Sequence, residues 1–305
     1  MKSAPIIFHV GLMKTATTTL QVRVFPQHEE LYFLGGPEYQ HESIRQAMGA
    51  ISKQDRLLYD QAYHKDQIRN TLDEVRNQDK PVLLSAESLT TPTVDRLTKA
   101  ERLLGLFGDI RILLSLRRPE DLIISLYSES IKQLNPSTRR LPSIDDWLAQ
   151  EWSEQRATRH TRILDFSRLI RCYQNLVGEE NVCVLLFEDL RNDPEGYARQ
   201  LSEFVGVSTQ RTLELLQGGK ENASVSQLDY KLLKLSSIIG SQGVNGQLSR
   251  YLPRPVKEII KKSISGTRQF SMSDEWRERI RTYCREDNRD LCKLIGSGPE
   301  RYDYF

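Results

Sequence analysis

The sequence predicts a three-layer α/β fold, in which a mainly parallel sheet of about five strands lies between two layers of helices. Five short apolar runs have the length of buried strands and end in Gly, Ser, Arg or acidic residues. Stretches with helical periodicity separate these runs, which is the alternation of a doubly wound sheet. After Gly240 no further strand pattern occurs, so we expect a helical region there.

Each predicted strand is an apolar segment flanked by polar residues. The five segments are Ile6–Val10, Leu31–Leu34, Val82–Leu84, Ile110–Leu116 and Val182–Phe187. The clearest helices between or after them are Lys65–Arg76, Glu120–Ile131, Leu164–Leu176 and Glu195–Phe204. Asp193 and Pro194 favour a helix start, because Asp is a good N-cap and Pro suits the first helical position. Gly206 favours the end of that helix.

The region after Gly240 contains one long amphipathic helix, which we expect to pack on the sheet. Its apolar positions are Trp276, Ile280, Tyr283, Leu291, Leu294 and Ile295. We expect Ser236–Gly246 to be a mobile loop. The whole chain, residues 1–305, is expected to form a single domain, with residues 240–305 as its helical region.

The composition is that of an ordinary globular protein. The chain has 305 residues, of which 38% are hydrophobic and 28% charged, with a net charge of +2. So small a charge argues against a nucleic-acid partner or a membrane surface. The four cysteines form no C-x-x-C pair, which argues against a disulfide framework or a structural metal. Pro5–Met13 is a poor signal-peptide core, and no run is long enough to span a membrane, so we expect a cytoplasmic location.

The first strand leads into a small-residue turn, Gly11–Leu20, and then a helix. This is the position of a P-loop, where free backbone N–H groups can bind an anion. Compared with the Walker pattern, Ala16 replaces the second glycine, Thr17 replaces the lysine and Thr18 occupies the Ser/Thr place. The lysine has moved to Lys14, which suits a phosphosulfate better than a triphosphate with Mg²⁺. The alternative is a Thr-rich helix start with a solvated lysine.

The segment Lys14-Thr15-Ala16-Thr17-Thr18-Thr19-Leu20 resembles the 5'-phosphosulfate-binding loop of sulfotransferases. The resemblance implies a P-loop NTPase-like topology and a donor loop made of Lys14, Thr15, Ala16, Thr17, Thr18 and Thr19. It also implies 3'-phosphoadenosine 5'-phosphosulfate (PAPS) as donor and adenosine 3',5'-bisphosphate (PAP) as product. The departure is at Thr19, where cytosolic members often have an aromatic residue.

The fourth predicted strand runs into Arg117, and Ser125 follows two helical turns later. A guanidinium and a hydroxyl in this relation can hold one phosphate. The pair resembles the second sulfotransferase signature, Arg-x-Pro with a serine eight positions after the arginine, which implies a 3'-phosphate site. Alternatively, Arg117 or Arg118 caps a carbonyl or pairs with Glu120 or Asp121.

Sulfuryl transfer requires a base for the acceptor and a cation for the leaving oxygen. Lys14, in the loop that touches the breaking bond, is the expected cation. Glu87 follows the third strand, whose carboxyl end faces the ligand crevice of an open α/β sheet. Carbohydrate-type and bacterial sulfotransferases carry a glutamate just after this strand, so Glu87 is the expected base. Alternatively, Glu87 caps the following helix or pairs with Arg117.

Other charged residues carry weaker expectations. Glu188 and Asp189 are more typical of a helix cap or a structural ion pair than of catalysis. Lys220 lies where the family closes a loop over the nucleotide, with a solvated loop as the alternative. Seven basic residues could receive an anionic acceptor or form solvated faces: Arg156, Arg159, Arg162, Arg168, Arg254, Lys257 and Lys261.

The resulting hypothesis is in-line sulfuryl transfer to a hydroxyl or amine of a carbohydrate or other small metabolite, without a metal. Acceptor selectivity is expected in Gly36–Lys80, in Gln133–His160 and after Gly240. A P-loop kinase or NTPase is one alternative, although the Walker lysine and a strand-terminal Asp are missing. A non-catalytic nucleotide-binding protein on the same scaffold is the other.

Overall fold

The computed structural model describes residues 5–36, 38–91, 95–133, 142–152, 162–218, 270–296 and 298–305. The chain divides into two compact units. The first comprises Met1–Pro119, Arg159–Lys220 and Arg281–Phe305, and the second comprises Glu120–Thr158 and Glu221–Ile280. A single domain for the whole chain stays a prediction. The predicted mobile loop Ser236–Gly246 lies outside the described residues.

The five predicted strands are all present, and their ends differ from the predicted ones by one residue at most. They are β1 (Ile6–Gly11), β2 (Tyr32–Gly35), β3 (Val82–Ser85), β4 (Ile110–Leu116) and β5 (Val182–Leu186). All neighbouring strands pair in parallel, in the order β2-β3-β1-β4-β5. The predicted parallel α/β fold is therefore confirmed.

The strand order defines where a ligand can bind. The chain leaves central β1 for β2 and β3 on one side, then crosses to β4 and β5 on the other. The segments that follow β1, β3 and β4 therefore meet at the carboxyl edge of the sheet. In open α/β sheets this switch point is the place where ligands bind.

Twelve α-helices are described. They are α1 (Thr17–Thr19), α2 (Glu42–Lys53), α3 (Gln61–Arg76), α4 (Arg96–Phe107), α5 (Pro119–Gln133), α6 (Ile144–Glu151), α7 (Phe166–Val177), α8 (Phe187–Asn192), α9 (Pro194–Val205), α10 (Thr209–Gln217), α11 (Asp274–Ile295) and α12 (Gly298–Arg301). The Asp193 side chain accepts a hydrogen bond from the Gly196 N–H at 3.0 Å at the start of α9. Gly206 ends that helix in the left-handed conformation, as the sequence predicts.

Helices cover both faces of the sheet in the first unit. Strand side chains alternate between faces, so Ile7, Leu83 and Leu113 share one core with the apolar side of α9 and α10. On the opposite face Phe8 packs edge-on against Phe107 of α4, with ring centroids 4.9 Å apart. Helix α7 packs on β4 and β5. The three predicted layers are thus helix, sheet and helix.

The second unit has its own aromatic core. Tyr127 of α5 is buried, and its hydroxyl donates to the Pro142 carbonyl at 2.8 Å. Its ring lies 5.2 Å from Phe270 and 5.7 Å from Trp147. Ser143 caps α6 by accepting the Asp146 N–H at 3.1 Å. In the described part of this unit, the aromatic packing centres on Tyr127.

The long helix predicted in the final third is present as α11, with a narrower buried stripe than the sequence suggests. Ile280, Cys284, Asn288 and Leu291 are buried, whereas Tyr283 is 42% exposed. Tyr283 lies at the edge of this stripe, and its hydroxyl donates to Asp165 at 3.2 Å. None of the helices that the structure describes is long and apolar enough to span a bilayer. Packing of residues 240–305 on the sheet stays a prediction.

Candidate active site

The loop between β1 and α1 holds two residues in the left-handed backbone conformation. Lys14 has φ 67° and Ala16 has φ 62°, which costs a non-glycine residue roughly 1 kcal/mol or more. The Leu12 N–H donates to the Ser115 carbonyl of β4 at 2.8 Å, and the Ala16 carbonyl accepts from the Thr19 N–H at 3.0 Å. Left-handed residues in such turns create concave nests of N–H groups that bind anions. The loop therefore has two left-handed residues where such a nest could form, and the anion site itself stays a prediction.

The four threonines of the loop have different surroundings. Thr15 is fully buried, and its hydroxyl donates to the Leu12 carbonyl at 2.6 Å. Thr17 is also buried and hydrogen-bonds to the Glu87 carboxylate. Thr18 is exposed, and Thr19 is buried in the helical continuation. Beyond Thr19 the helix widens to a π-helical segment, Leu20–Val24, before it ends.

Glu87 is the first residue of a 3₁₀ turn, Glu87–Leu89, which follows β3 after one intervening residue, Ala86. Its side chain faces the loop: a Cβ added to Gly11 would lie 3.5 Å from the Glu87 Cγ. Burial raises the pKa of this carboxyl, while the Thr17 hydrogen bond and the Lys14 charge act to lower it. The Glu87 side chain therefore contacts the loop, and its role as a base, as a helix cap or as a partner of Arg117 stays a prediction.

Arg117 directly follows β4 and reaches back to the loop. Its Nη1 donates to the Lys14 carbonyl at 3.1 Å, and its guanidinium lies over the Phe187 ring, 4.5 Å from the centroid. The structure thus brings Lys14, Thr17, Glu87 and Arg117 together at the carboxyl edge of the sheet. Ser125 lies on α5 in the second unit, so its predicted pairing with Arg117 stays a prediction.

A polar network that the sequence did not predict lies within the sheet near this edge. His9 of β1 is fully buried, and its Nδ1 lies 2.7 Å from the Ser85 hydroxyl of β3. The Ser115 hydroxyl of β4 lies 3.5 Å from His9 Nε2, and Gln21 Nε2 donates to Ser85 Oγ at 2.9 Å. Burial lowers the pKa of His9 to about 3, so the ring is neutral at pH 7. The available signal was a histidine inside an apolar strand, flanked by strands that each end near a serine.

Glu188, at the start of α8, accepts hydrogen bonds from a backbone N–H and from a tyrosine hydroxyl. The Arg118 N–H donates to Glu188 Oε1 at 2.8 Å, and the Tyr304 hydroxyl donates to Oε2 at 3.0 Å. Burial raises the pKa of Glu188, and these hydrogen bonds act in the opposite direction. Neighbouring Asp189 pairs with Arg301 at 3.2 Å. The sequence did not indicate that residues 301–304 contact the start of α8.

Most of the basic residues that carry weaker expectations lie outside the part of the chain that the structure describes. Lys220, Arg156, Arg159, Arg254, Lys257 and Lys261 lie outside the described residues. Arg162 and Arg168 are described and exposed. In the described parts of the chain, no three His, Cys, Asp or Glu side chains are grouped as ligands of a metal ion.

Comparison with known proteins gives a consistent result. A family model described as the sulfotransferase family matches residues 5–211, whereas no curated protein matches the chain. A sulfotransferase from Alicyclobacillus acidocaldarius is 20% identical, with a TM-score of 0.57 over 95% of each chain. The mouse sulfotransferase SULT7A1 complexed with PAP is 14% identical, with a TM-score of 0.41 over 90% of this chain and 87% of that one. The first of these structures shares the fold of this chain.

Proposed function

The chain belongs to the sulfotransferase family, and from that premise we propose that it transfers a sulfuryl group from PAPS to a hydroxyl or amine of a small acceptor. The loop of Lys14, Thr15, Ala16, Thr17, Thr18 and Thr19 holds the 5'-phosphosulfate. Arg117 and Ser125 hold the 3'-phosphate. The acceptor is a carbohydrate or another small metabolite.

The chemical step is an in-line displacement at sulfur. The acceptor oxygen or nitrogen attacks the sulfur while its proton passes to the Glu87 carboxylate. The bond between sulfur and the bridging oxygen of the 5'-phosphate breaks, and the leaving group is PAP. The Lys14 ammonium neutralises the negative charge that develops on this oxygen.

One observation carries the proposal: the Glu87 carboxylate faces the anion-binding loop at the switch point of the sheet. It interacts with Thr17 and with Lys14, so the expected base lies beside the expected cation. A raised pKa is the usual property of a carboxylate that acts as a base. A non-catalytic nucleotide-binding protein needs no base in this position, whereas a kinase could use Glu87 as its acidic residue.

The rival functions differ from the proposal in what they bind. A P-loop kinase needs a lysine at the position of Thr17 and an acidic residue for Mg²⁺. A non-catalytic nucleotide-binding protein would bind PAP but transfer nothing. Binding and transfer must therefore be measured separately.

We expect the protein to bind PAP without a metal at least about tenfold more tightly than Mg·ATP, a difference of about 1.4 kcal/mol. The reason is that PAP has a 3'-phosphate for the guanidinium of Arg117, whereas ATP has none. Calorimetric titration with both ligands, in the presence and absence of EDTA, measures this. Tighter binding of Mg·ATP would favour the kinase reading.

Replacing Arg117 by Ala should weaken PAP binding by about 2 kcal/mol, which is about a 30-fold loss of affinity. Binding of adenosine 5'-phosphate should change little, because that ligand lacks the 3' group. Arg118→Ala is the matched control, since it removes the same charge from the neighbouring residue. Equal losses for the two ligands in Arg117→Ala would contradict the 3'-phosphate assignment.

The acid side of the pH profile of kcat/KM should reflect protonation of Glu87. A base acts only when it is deprotonated, so kcat/KM should fall as the pH drops through the raised pKa of this carboxyl. Thr17→Val removes a hydrogen bond that lowers this pKa, so the acid limb should move up by about one pH unit. Thr18→Val removes an exposed hydroxyl and should leave the limb in place, whatever it does to donor affinity. An unshifted limb in Thr17→Val would assign it to another group.

A further inference from the structure

Residues 298–305 pack against the start of α8. The first residue of this helix, Phe187, lies under the Arg117 guanidinium. The Tyr304 hydroxyl donates to Glu188 Oε2 at 3.0 Å. The Tyr302 hydroxyl donates to Asp189 Oδ1 at 2.5 Å. Two adjacent acidic residues of α8 are thus each bound by a different tyrosine of the same segment.

Tyr304 is held from several directions. It is 1% exposed, and its ring packs edge-on against Phe166, with centroids 6.3 Å apart. Its carbonyl accepts from Asn288 Nδ2 of α11 at 2.6 Å, and its N–H donates to the Pro299 carbonyl at 3.1 Å. A side chain fixed in this way can impose a position on the group it binds.

The group it binds is connected to the turn that follows β4. Glu188 Oε1 accepts the Arg118 N–H at 2.8 Å, so one carboxylate joins Tyr304 to the main chain of Arg118. The preceding residue of α8, Phe187, lies under the guanidinium of Arg117 at 4.5 Å. Two successive residues of α8 therefore contact two successive residues of the turn.

We propose that Tyr304 is a positioning residue for the 3'-phosphate site, acting through Glu188 on the turn that presents the Arg117 guanidinium. The proposal rests on the function proposed above, in which Arg117 holds the 3'-phosphate. Tyr304 lies outside the residues that the family model matches, 5–211. It touches neither the donor nor the reacting atoms and has its effect on donor affinity.

The test compares Tyr304→Phe with Tyr302→Phe, because each removes one hydroxyl from the same segment. Tyr304→Phe should weaken PAP binding by about fivefold or more, which is the lower end of the range for energetic coupling between two sites. The affinity for adenosine 5'-phosphate and kcat at saturating donor should stay nearly unchanged. Tyr302→Phe should stay within about twofold for both ligands. Thermal unfolding and titration with the two nucleotides are measured on each variant.

A merely structural role predicts a different pattern, with a lower melting temperature and no change in the ratio of the two affinities. That pattern, or unchanged PAP binding in Tyr304→Phe, would overturn the inference. Glu188→Gln is a second variant that weakens the same bridge, and it should lower PAP affinity in the same direction. If Arg117→Ala loses the preference for PAP while Tyr304→Phe keeps it, only this inference fails. If the unaltered protein shows no preference for PAP over adenosine 5'-phosphate, the 3'-phosphate assignment and this inference fail together.

Discussion

Replacing Glu87 by Gln should lower turnover by about 10²-fold or more, because a positioned general base contributes two to four orders of magnitude. Glutamine keeps the shape of the side chain, and its carbonyl can still accept the Thr17 hydrogen bond. What it loses is the ability to take the acceptor proton. The measurement is kcat at saturating donor and acceptor, together with titration of PAP, whose affinity should be preserved.

The stability of this variant follows from the direction of the pKa shift. The folded protein raises the pKa of Glu87 above its ordinary value, so folding favours the protonated form. The stability that this group contributes is therefore greatest at low pH and is lost as the pH rises through the folded pKa. At pH 7 the charged carboxylate opposes folding, so Glu87→Gln should melt at the same temperature or higher. A catalytic group that is retained at a cost in stability behaves in this way.

The control for this prediction is Glu120→Gln, which removes a buried carboxylate that pairs with Arg277 at 3.6 Å in the second unit. Its turnover per folded molecule should stay close to that of the unaltered protein, whereas its melting temperature should fall. If Glu87→Gln also had a lower melting temperature and turned over normally at saturation, Glu87 would be a structural residue and not the general base.

The fold could be predicted from the sequence because strands and helices are determined by local patterns. The run Ile110–Leu116 is apolar at five of its seven positions, and β4 has these same bounds. The order Asp193, Pro194 and Gly206 likewise places the ends of α9. These signals act over a few residues, so one sequence carries them.

The site was predictable only in part. The residues after β1, β3 and β4 could be expected to meet, since strand ends converge at a switch point. The left-handed backbone of Lys14 and Ala16 was not predicted, because such residues rarely adopt it. The bridge from Tyr304 to Glu188 joins residues 116 positions apart, and no local pattern indicates such a contact.

Removing the Lys14 ammonium should lower kcat by about 10²-fold, the usual effect of deleting one group that stabilises charge in the transition state. Lys14→Met is the first variant, since methionine keeps much of the length and the apolar stem of the side chain. The lysine holds the bound donor and interacts more strongly with the leaving oxygen as charge develops, so kcat should fall and kcat/KM should fall at least as much. A rise in KM alone would mean that Lys14 binds the donor without assisting bond cleavage.

The backbone of Lys14 offers a matched variant that separates charge from conformation. At φ 67° any side chain with a Cβ is strained, so Lys14→Gly removes the ammonium and the strain together. Lys14→Gly should therefore melt higher than Lys14→Met, by the equivalent of about 1 kcal/mol. Both variants should lose turnover to a similar extent, because both lack the cation. If Lys14→Met turned over nearly normally, the ammonium would have no part in the transfer, whatever the effect of Lys14→Gly on the loop.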